Sequence, residues 1–274
     1  MQLFTNELVS EHVTRIKTPC GVSMFLIRGK ERALLLDTGM GIGDLKGYVE
    51  KLTQLPYDVV LTHGHCDHAG GASQFETVYL SGRDMELEKT HASLEHRIFD
   101  VFHAPFGYPE GLSEKDFLPQ RNTAYTELAE DMVFELGGVN ISFIPLPGHT
   151  QGCVVPLIQP DGVMVIGDAL GENTLMHFPE STSVETYRRS IERLLAVQDD
   201  YHILVRFHGS GCSDKAILQD MYDLCTEIME GRDAHVPANM MGIAGCWGRE
   251  KEHPGKHGNM IYNPDKIFDE GGSV

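Results

Sequence analysis

Three histidines and one aspartate fall within the six residues His63-Gly64-His65-Cys66-Asp67-His68, with Ala69-Gly70-Gly71 directly behind them. No other run constrains the chain as strongly. The short apolar stretch Val59-Val60-Leu61 ahead of it predicts a strand over Asp58 to Thr62, so the cluster stands where a strand hands over to a loop. Imidazole and carboxylate are the natural ligands of zinc and its first-row neighbours. A tight loop lets alternate side chains diverge, so one segment can serve two adjacent ions. The bland reading, a solvated polar loop, is the weaker one for this spacing.

Three later residues share that setting. His149 follows the predicted strand Asn140–Pro145 in Pro147-Gly148-His149-Thr150, Asp168 ends the strand-like run Val163 to Ile166, and His208 ends the run His202 to Phe207. Each alone reads better as a capped turn or a satisfied polar side chain. Together they complete the donor set for two ions.

The surrounding pattern alternates strands and helices. A hairpin is predicted at Met24 to Leu36 around Arg28-Gly29-Lys30-Glu31-Arg32. A helix over 42–55 follows the Asp37-Thr38-Gly39 loop, and Thr77–Leu80 reads as a further strand. Residues 83–101 read as helical, with Leu87, Leu94, Ile98 and Phe99 as the apolar stripe, and 103–118 as loop. Strands return over 132–135, 140–145, 154–158 and 163–166, and helices over 184–197 and 214–230. Beyond Gly231 the glycines and prolines predict a loop-rich tail. We therefore expect an α/β fold in a single domain of residues 1–274, with an insertion at about 83–118 and a loop-rich tail from about 232.

Composition narrows the partners. The chain has 274 residues, enough to bury a large core, with 22 Lys and Arg against 40 Asp and Glu and a formal net charge of −18. Such a surface repels phosphate backbones, which argues against nucleic acid as a partner. No stretch approaches the roughly 18 apolar residues of a membrane span. Residues 1–10 lack a basic leader, so the reading is cytoplasmic, with a small-molecule substrate. Cys20, Cys66, Cys153, Cys212, Cys225 and Cys246 form no Cys-x-x-Cys pair, and free thiols are expected.

With these residues in view, the chain resembles the metallo-β-lactamase superfamily. The resemblance spans roughly residues 20 to 210: the Asp37-Thr38-Gly39 loop, His-x-His-x-Asp-His, Pro-Gly-His, Gly-Asp and the final His-Gly, in family order. It implies an αβ/βα sandwich of two mixed sheets with outer helices. It also implies that His63, His65 and His149 bind one metal, that Asp67, His68 and His208 bind a second, and that Asp168 bridges them. The ions expected are two divalent metals, zinc first, with iron or manganese as alternatives. Two ions about 3.5–4 Å apart can share a hydroxide that attacks an ester-type centre. Asp67 would then return a proton to the leaving group, and the Asp37 loop would orient ligand imidazoles.

Within that family a dinuclear hydrolase of thioesters, lactones or related esters is expected. The flavodiiron pattern has Glu where this chain has His65. The lactonase pattern has Tyr where this chain has Gly171. Glyoxalase II-like enzymes carry basic residues on a helical C-terminal region; here Arg249, Lys251, Lys256 and Lys266 stand in a Gly-rich tail. The alternative is a mononuclear iron sulfur (persulfide) dioxygenase, which would use only His63, His149 and Asp168. His91, His96, His103, His253 and His257 are read as solvated or hydrogen-bonded. Met85, Phe99, Phe102, Phe106 and Tyr108 could line an apolar pocket but read better as core, and Trp247 and Tyr262 could cover the site. The segments 83–118 and 242–262 are the candidate pocket walls.

Overall fold

The computed structural model describes residues 3–103, 110–209 and 211–270. Contacts divide the chain into two compact units. One comprises Met1–Phe143, Ile158–Asp161 and Phe207–Gly209, the other Ile144–Leu157, Gly162–Arg206 and Ser210–Val274.

The first unit is built on a seven-stranded sheet whose strands follow one another in chain order: β1 (Thr5–Leu8), β2 (Val13–Lys17), β3 (Ser23–Arg28), β4 (Ala33–Leu36), β5 (Tyr57–Val60), β6 (Tyr79–Leu80) and β7 (Thr126–Glu127). The first four are antiparallel, and β5 to β7 join in parallel. The predicted hairpin is β3 and β4. The strands β1 and β2 were not anticipated: all four residues of β1 are exposed, so no apolar alternation marks it. Helix α1 (Leu45–Leu52) links β4 to β5, buries Leu45 and Val49 one turn apart, and is capped by Asp44, which accepts from Gly47 N at 2.8 Å. It ends short of the expected Leu55 because Thr53 is extended. Leu26, Leu35, Val59 and Leu61 form part of this unit's core.

The motif contributes a one-turn helix, α2 (Cys66–Ala69), and the insertion contributes α3 (Met85–His91) and α4 (Leu94–His103). The expected apolar stripe of the insertion is corrected here. Leu94 and Phe99 are exposed, and α4 instead buries Arg97 and Val101. The Arg97 guanidinium donates to the carbonyls of Ala92, Met40 and Leu118 at 3.0, 3.2 and 2.8 Å. A cation satisfied by three carbonyls occupies the core face, and a search for apolar spacing passes over it. Phe102 packs near Phe117 and Met85 joins the core, as the bland reading had it. Phe106 and Tyr108 lie outside the described residues.

The later strands are β8 (Val133–Glu135), β9 (Asn140–Pro145), β10 (Val154–Gln159), β11 (Val163–Val165), β12 (Asn173–Met176), β13 (Ile203–Val205), β14 (Cys212–Ser213), β15 (Val236–Met240), β16 (Ile243–Trp247) and β17 (Asn259–Tyr262). A six-stranded sheet has the order β14-β13-β11-β10-β9-β8, with β11 and β13 parallel and β13 and β14 antiparallel. Helices α5 (Val184–Ala196) and α6 (Ile217–Met229) pack against each other over the second unit's core.

Two mixed sheets were expected, and the described residues form a third. It has the order β12-β17-β16-β15, so the tail carries unexpected strands among its loops: it supplies three of the four. The residues read as breakers have other jobs. Met241 and Gly242, with φ of 54° and 79°, make the two-residue turn between β15 and β16, whose pairing closes at Met240 and Ile243. Positive φ at both central residues is what a tight hairpin with right-twisted strands requires. Tyr262, considered as a cover for the site, is instead a fully buried core residue of this unit. Among the described residues no helix is long and apolar enough to cross a membrane.

Candidate functional site

Parallel pairing of β4 with β5 sets Leu36 beside Val60, so the two strands end together. Asp37 and Thr62 follow from those ends. Asp37 takes the left-handed conformation, φ 62°, and is fully buried. Its Oδ1 accepts from Thr62 N at 2.7 Å, and its Oδ2 accepts from Thr62 Oγ1 at 2.9 Å and from His68 Nδ1 at 2.7 Å. A carboxylate only accepts, so His68 Nδ1 is the donor in this contact, and the contact fixes the ring. Burial pushes the Asp37 carboxyl above its usual range, opposed by His68 and Thr62. Thr38 completes the clasp, its N and Oγ1 both donating to His68 O, at 2.7 and 2.8 Å. The expectation that the Asp37 loop orients a motif imidazole matches this geometry at His68.

Backbone lies on backbone behind the motif. Gly41 has φ 76°, and a Cβ there would stand 2.2 Å from Gly70 O, so only glycine fits. Asp84, at the start of α3, accepts from Gly64 N at 2.9 Å and ties the insertion to the motif. Sequence reading missed Asp84: an aspartate at a helix start looks like a cap, but this side chain does not cap α3 and is given to Gly64, twenty positions earlier.

Five of the seven predicted ligands lie in the first unit. His63 and His65 have ring centroids 4.9 Å apart, and those of His63 and His68 are 4.2 Å apart. Asp67 Oδ2 lies 3.4 Å from His68 Nε2 and 3.2 Å from His208 Nε2. Burial raises the Asp67 carboxyl, but the two imidazoles outweigh it and hold the group well below the usual carboxylate range. His208 is brought in by its neighbour Phe207, whose carbonyl accepts from Ser23 N at 3.0 Å and whose ring packs on Phe25 and His68.

The other two lie in the second unit, side by side, with His149 Nε2 3.9 Å from Asp168 Oδ2. His149 Nδ1 donates to Leu175 O at 2.7 Å, which fixes the ring. Its carbonyl accepts from Ser181 Oγ at 2.9 Å. Leu175 belongs to β12, which is held in its sheet by β17 of the tail. The donor chemistry, neutral imidazole nitrogens and carboxylates, fits divalent first-row metals.

Other expectations meet the structure less well. Of the histidines read as solvated or hydrogen-bonded, His96 lies 3.5 Å from Asp100, and the His91 ring, beyond that reading, stacks on His65 at 4.8 Å and lies 4.8 Å from His96. Three of the four tail cations are engaged. Arg249 is buried against Asp220, Lys256 Nζ lies 3.2 Å from Asp220, and Lys266 donates to Pro179 O. All six cysteines are free thiols.

Residues 18–205 match the sequence model of the metallo-beta-lactamase superfamily. The chain is 24% identical over 193 residues to human acyl-coenzyme A thioesterase MBLAC2, covering 65% of this chain and 68% of that one. It is 28% identical over 190 residues to hydroxyacylglutathione hydrolase GloC of Haemophilus influenzae, covering 66% and 82%. Among solved structures, the metallo-beta-lactamase from Pontibacter korlensis superposes with a TM-score of 0.58 at 21% identity, covering 80% of this chain and 97% of that one. This last likeness concerns the fold alone.

Proposed function

Because the chain belongs to the metallo-β-lactamase superfamily and is a hydrolase with its α/β sandwich fold, we propose that it cleaves small acyl thioesters with two bound divalent metal ions, zinc first among them. The proposed donors are His63, His65 and His149 for one ion and Asp67, His68 and His208 for the other, with Asp168 shared. The observation that carries this reading is the anchoring of His68 and His149: each ring is held through Nδ1, by Asp37 Oδ2 and by Leu175 O, with its Nε2 turned toward a carboxylate of the proposed donor set, Asp67 and Asp168 respectively. When bound, such ions acidify water to near neutrality and polarise a carbonyl oxygen.

The chain's own residues do the rest. Asp37 holds the His68 ring, and the Leu175 carbonyl holds that of His149. The Asp67 carboxylate returns a proton to the departing thiol. Thioesters are favoured over lactones for two reasons. Two of the similar proteins are named for releasing acyl groups from coenzyme A or glutathione. At the position where lactonases carry Tyr, Gly171 offers no side chain to polarise a lactone carbonyl. Arg249 is already paired with Asp220 and so is not offered to a glutathione carboxylate, which supports recognition through the acyl group rather than through that carrier.

The test is a panel of acyl thioesters, lactones, simple esters and phosphodiesters run against protein reloaded with zero, one, two or more equivalents of zinc. Thioester turnover should lead the panel and rise with the second equivalent. Faster lactone or phosphodiester turnover would overturn the substrate class, and full activity at one equivalent would overturn the two-metal reading.

A further inference from the structure

The turn that carries the motif ligands has a second donor face. On the single turn of α2, successive side chains diverge by about 100°. His68 points to Asp37, whereas Cys66 Sγ lies 3.2 Å from Asp100 Oδ2 on α4. His96 is one turn earlier on α4, and its Nε2 lies 3.5 Å from the same Asp100 oxygen. The three donor atoms all lie within 4.8 Å of one another.

We propose that Cys66, His96 and Asp100 form a further metal site, separate from the seven motif donors, that takes one zinc-class divalent cation with solvent as its fourth ligand. The spacing suits it. Tetrahedral bonds of about 2.0–2.3 Å require donors about 3.3–3.7 Å apart; the two edges to Asp100 are 3.2 and 3.5 Å, and the edge from Cys66 to His96, within 4.8 Å, closes on the ion by a side-chain adjustment of the half-exposed His96. The chemistry suits it as well: one sulfur, one imidazole nitrogen and one carboxylate oxygen form a borderline-soft set that selects zinc over magnesium or calcium. Without metal, the Cys66 thiol donates to Asp100 Oδ2 at 3.2 Å. On binding, the sulfur–hydrogen bond gives way to a sulfur–metal bond and the proton leaves to solvent. Thiolate and carboxylate then balance the dication. The His96 side chain is 38% exposed and opens the way in, while Cys66 is buried at the back. The ion would fasten α4 of the insertion to the turn bearing Asp67 and His68.

Cobalt separates this site from the other, because none of the seven motif donors is sulfur. Metal-free protein titrated with cobalt should develop visible bands from nitrogen and oxygen sites, and a near-ultraviolet thiolate-to-cobalt charge-transfer band from this one. Cys66→Ser should abolish the charge-transfer band and keep the visible bands. His96→Ala and Asp100→Asn, on the outer helix, should weaken or remove it while all cysteines remain, so the result does not hang on the folding of the Cys66 variant. Three outcomes would overturn the site: no charge-transfer band in fully loaded wild type, a band that survives Cys66→Ser, or a band indifferent to both α4 substitutions. Visible bands alone would sink this site and leave the motif site standing.

Discussion

Asp67 is the residue at which the proposed ligation and the proposed proton transfer would meet. Its Oδ2 lies within 3.4 Å of His68 Nε2 and 3.2 Å of His208 Nε2, so any ion held there binds beside this carboxylate. Asp67→Asn keeps the shape and removes the charge and the proton-accepting capacity. Turnover should fall by at least ~100-fold, the lower range for loss of general acid–base catalysis. The loss should persist in excess metal and shrink for thioesters whose thiol leaves without a proton. Recovery to near wild-type turnover on adding metal would reduce Asp67 to a ligand. Metal content and turnover, measured on the same samples, decide it. The motif and its donor types were legible in the sequence because they lie within six neighbouring residues. The Asp37 contact to His68 was legible only as a loop near the motif, since its register depends on β4 pairing with β5.

Among the elements, the tail sheet carries the least expected role. The Leu175 carbonyl that orients His149 belongs to β12, β12 pairs with β17, and β17 is reached through a segment clamped to α6. The clamp is Asp220. Its carboxylate takes both terminal nitrogens of Arg249 at 2.9 Å and the backbone N–H groups of His257 and Gly258 at 2.7 and 3.1 Å. Burial raises the Asp220 carboxyl, but those donors outweigh it and the group is held below its usual range. A carboxylate depressed in the folded state adds stability that is present above its unfolded pKa, about 3.9. That stability is lost as pH falls through the lower folded value. Asp220→Asn should cost about 3–5 kcal/mol, as expected when one member of a buried ion pair is left alone. It should also erase this part of the acid limb. Urea unfolding from pH 7 down to pH 3 reads both effects, and an unchanged midpoint at pH 7 would refute the clamp.

For the molecule as a whole, metal binding should act as a stability term. The donors are gathered on a chain of net charge −18, and a dication bound only by folded protein stabilises by about 2.7 kcal/mol at a hundredfold excess over its dissociation constant. For a chain of this size that corresponds to about 5–10 °C in the main thermal transition. Chelation followed by dialysis should lower the transition by that amount, and adding zinc back should restore it. A transition that ignores both steps would mean that the donors do not hold metal in the folded state.

The sequence by itself determined what depends on near neighbours: the hairpin at β3 and β4, the helices α1, α5 and α6, the strand ends that lead to the motif, and the His and Asp cluster itself. Local periodicity and turn chemistry act over a few residues, and there they were sufficient. Tertiary structure alone decided what depends on distant partners. It made a sheet of the Gly- and Pro-rich tail, because Gly242 turns a hairpin and β17 finds β12 some 80 positions earlier in the chain. It put Arg97 on the buried face of α4, because three carbonyls from separate loops converge there. It also brought Cys66 within 3.2 Å of Asp100, 34 residues away. Each of these arrangements is set by which surfaces meet once the chain is folded, and no spacing along the chain encodes that meeting.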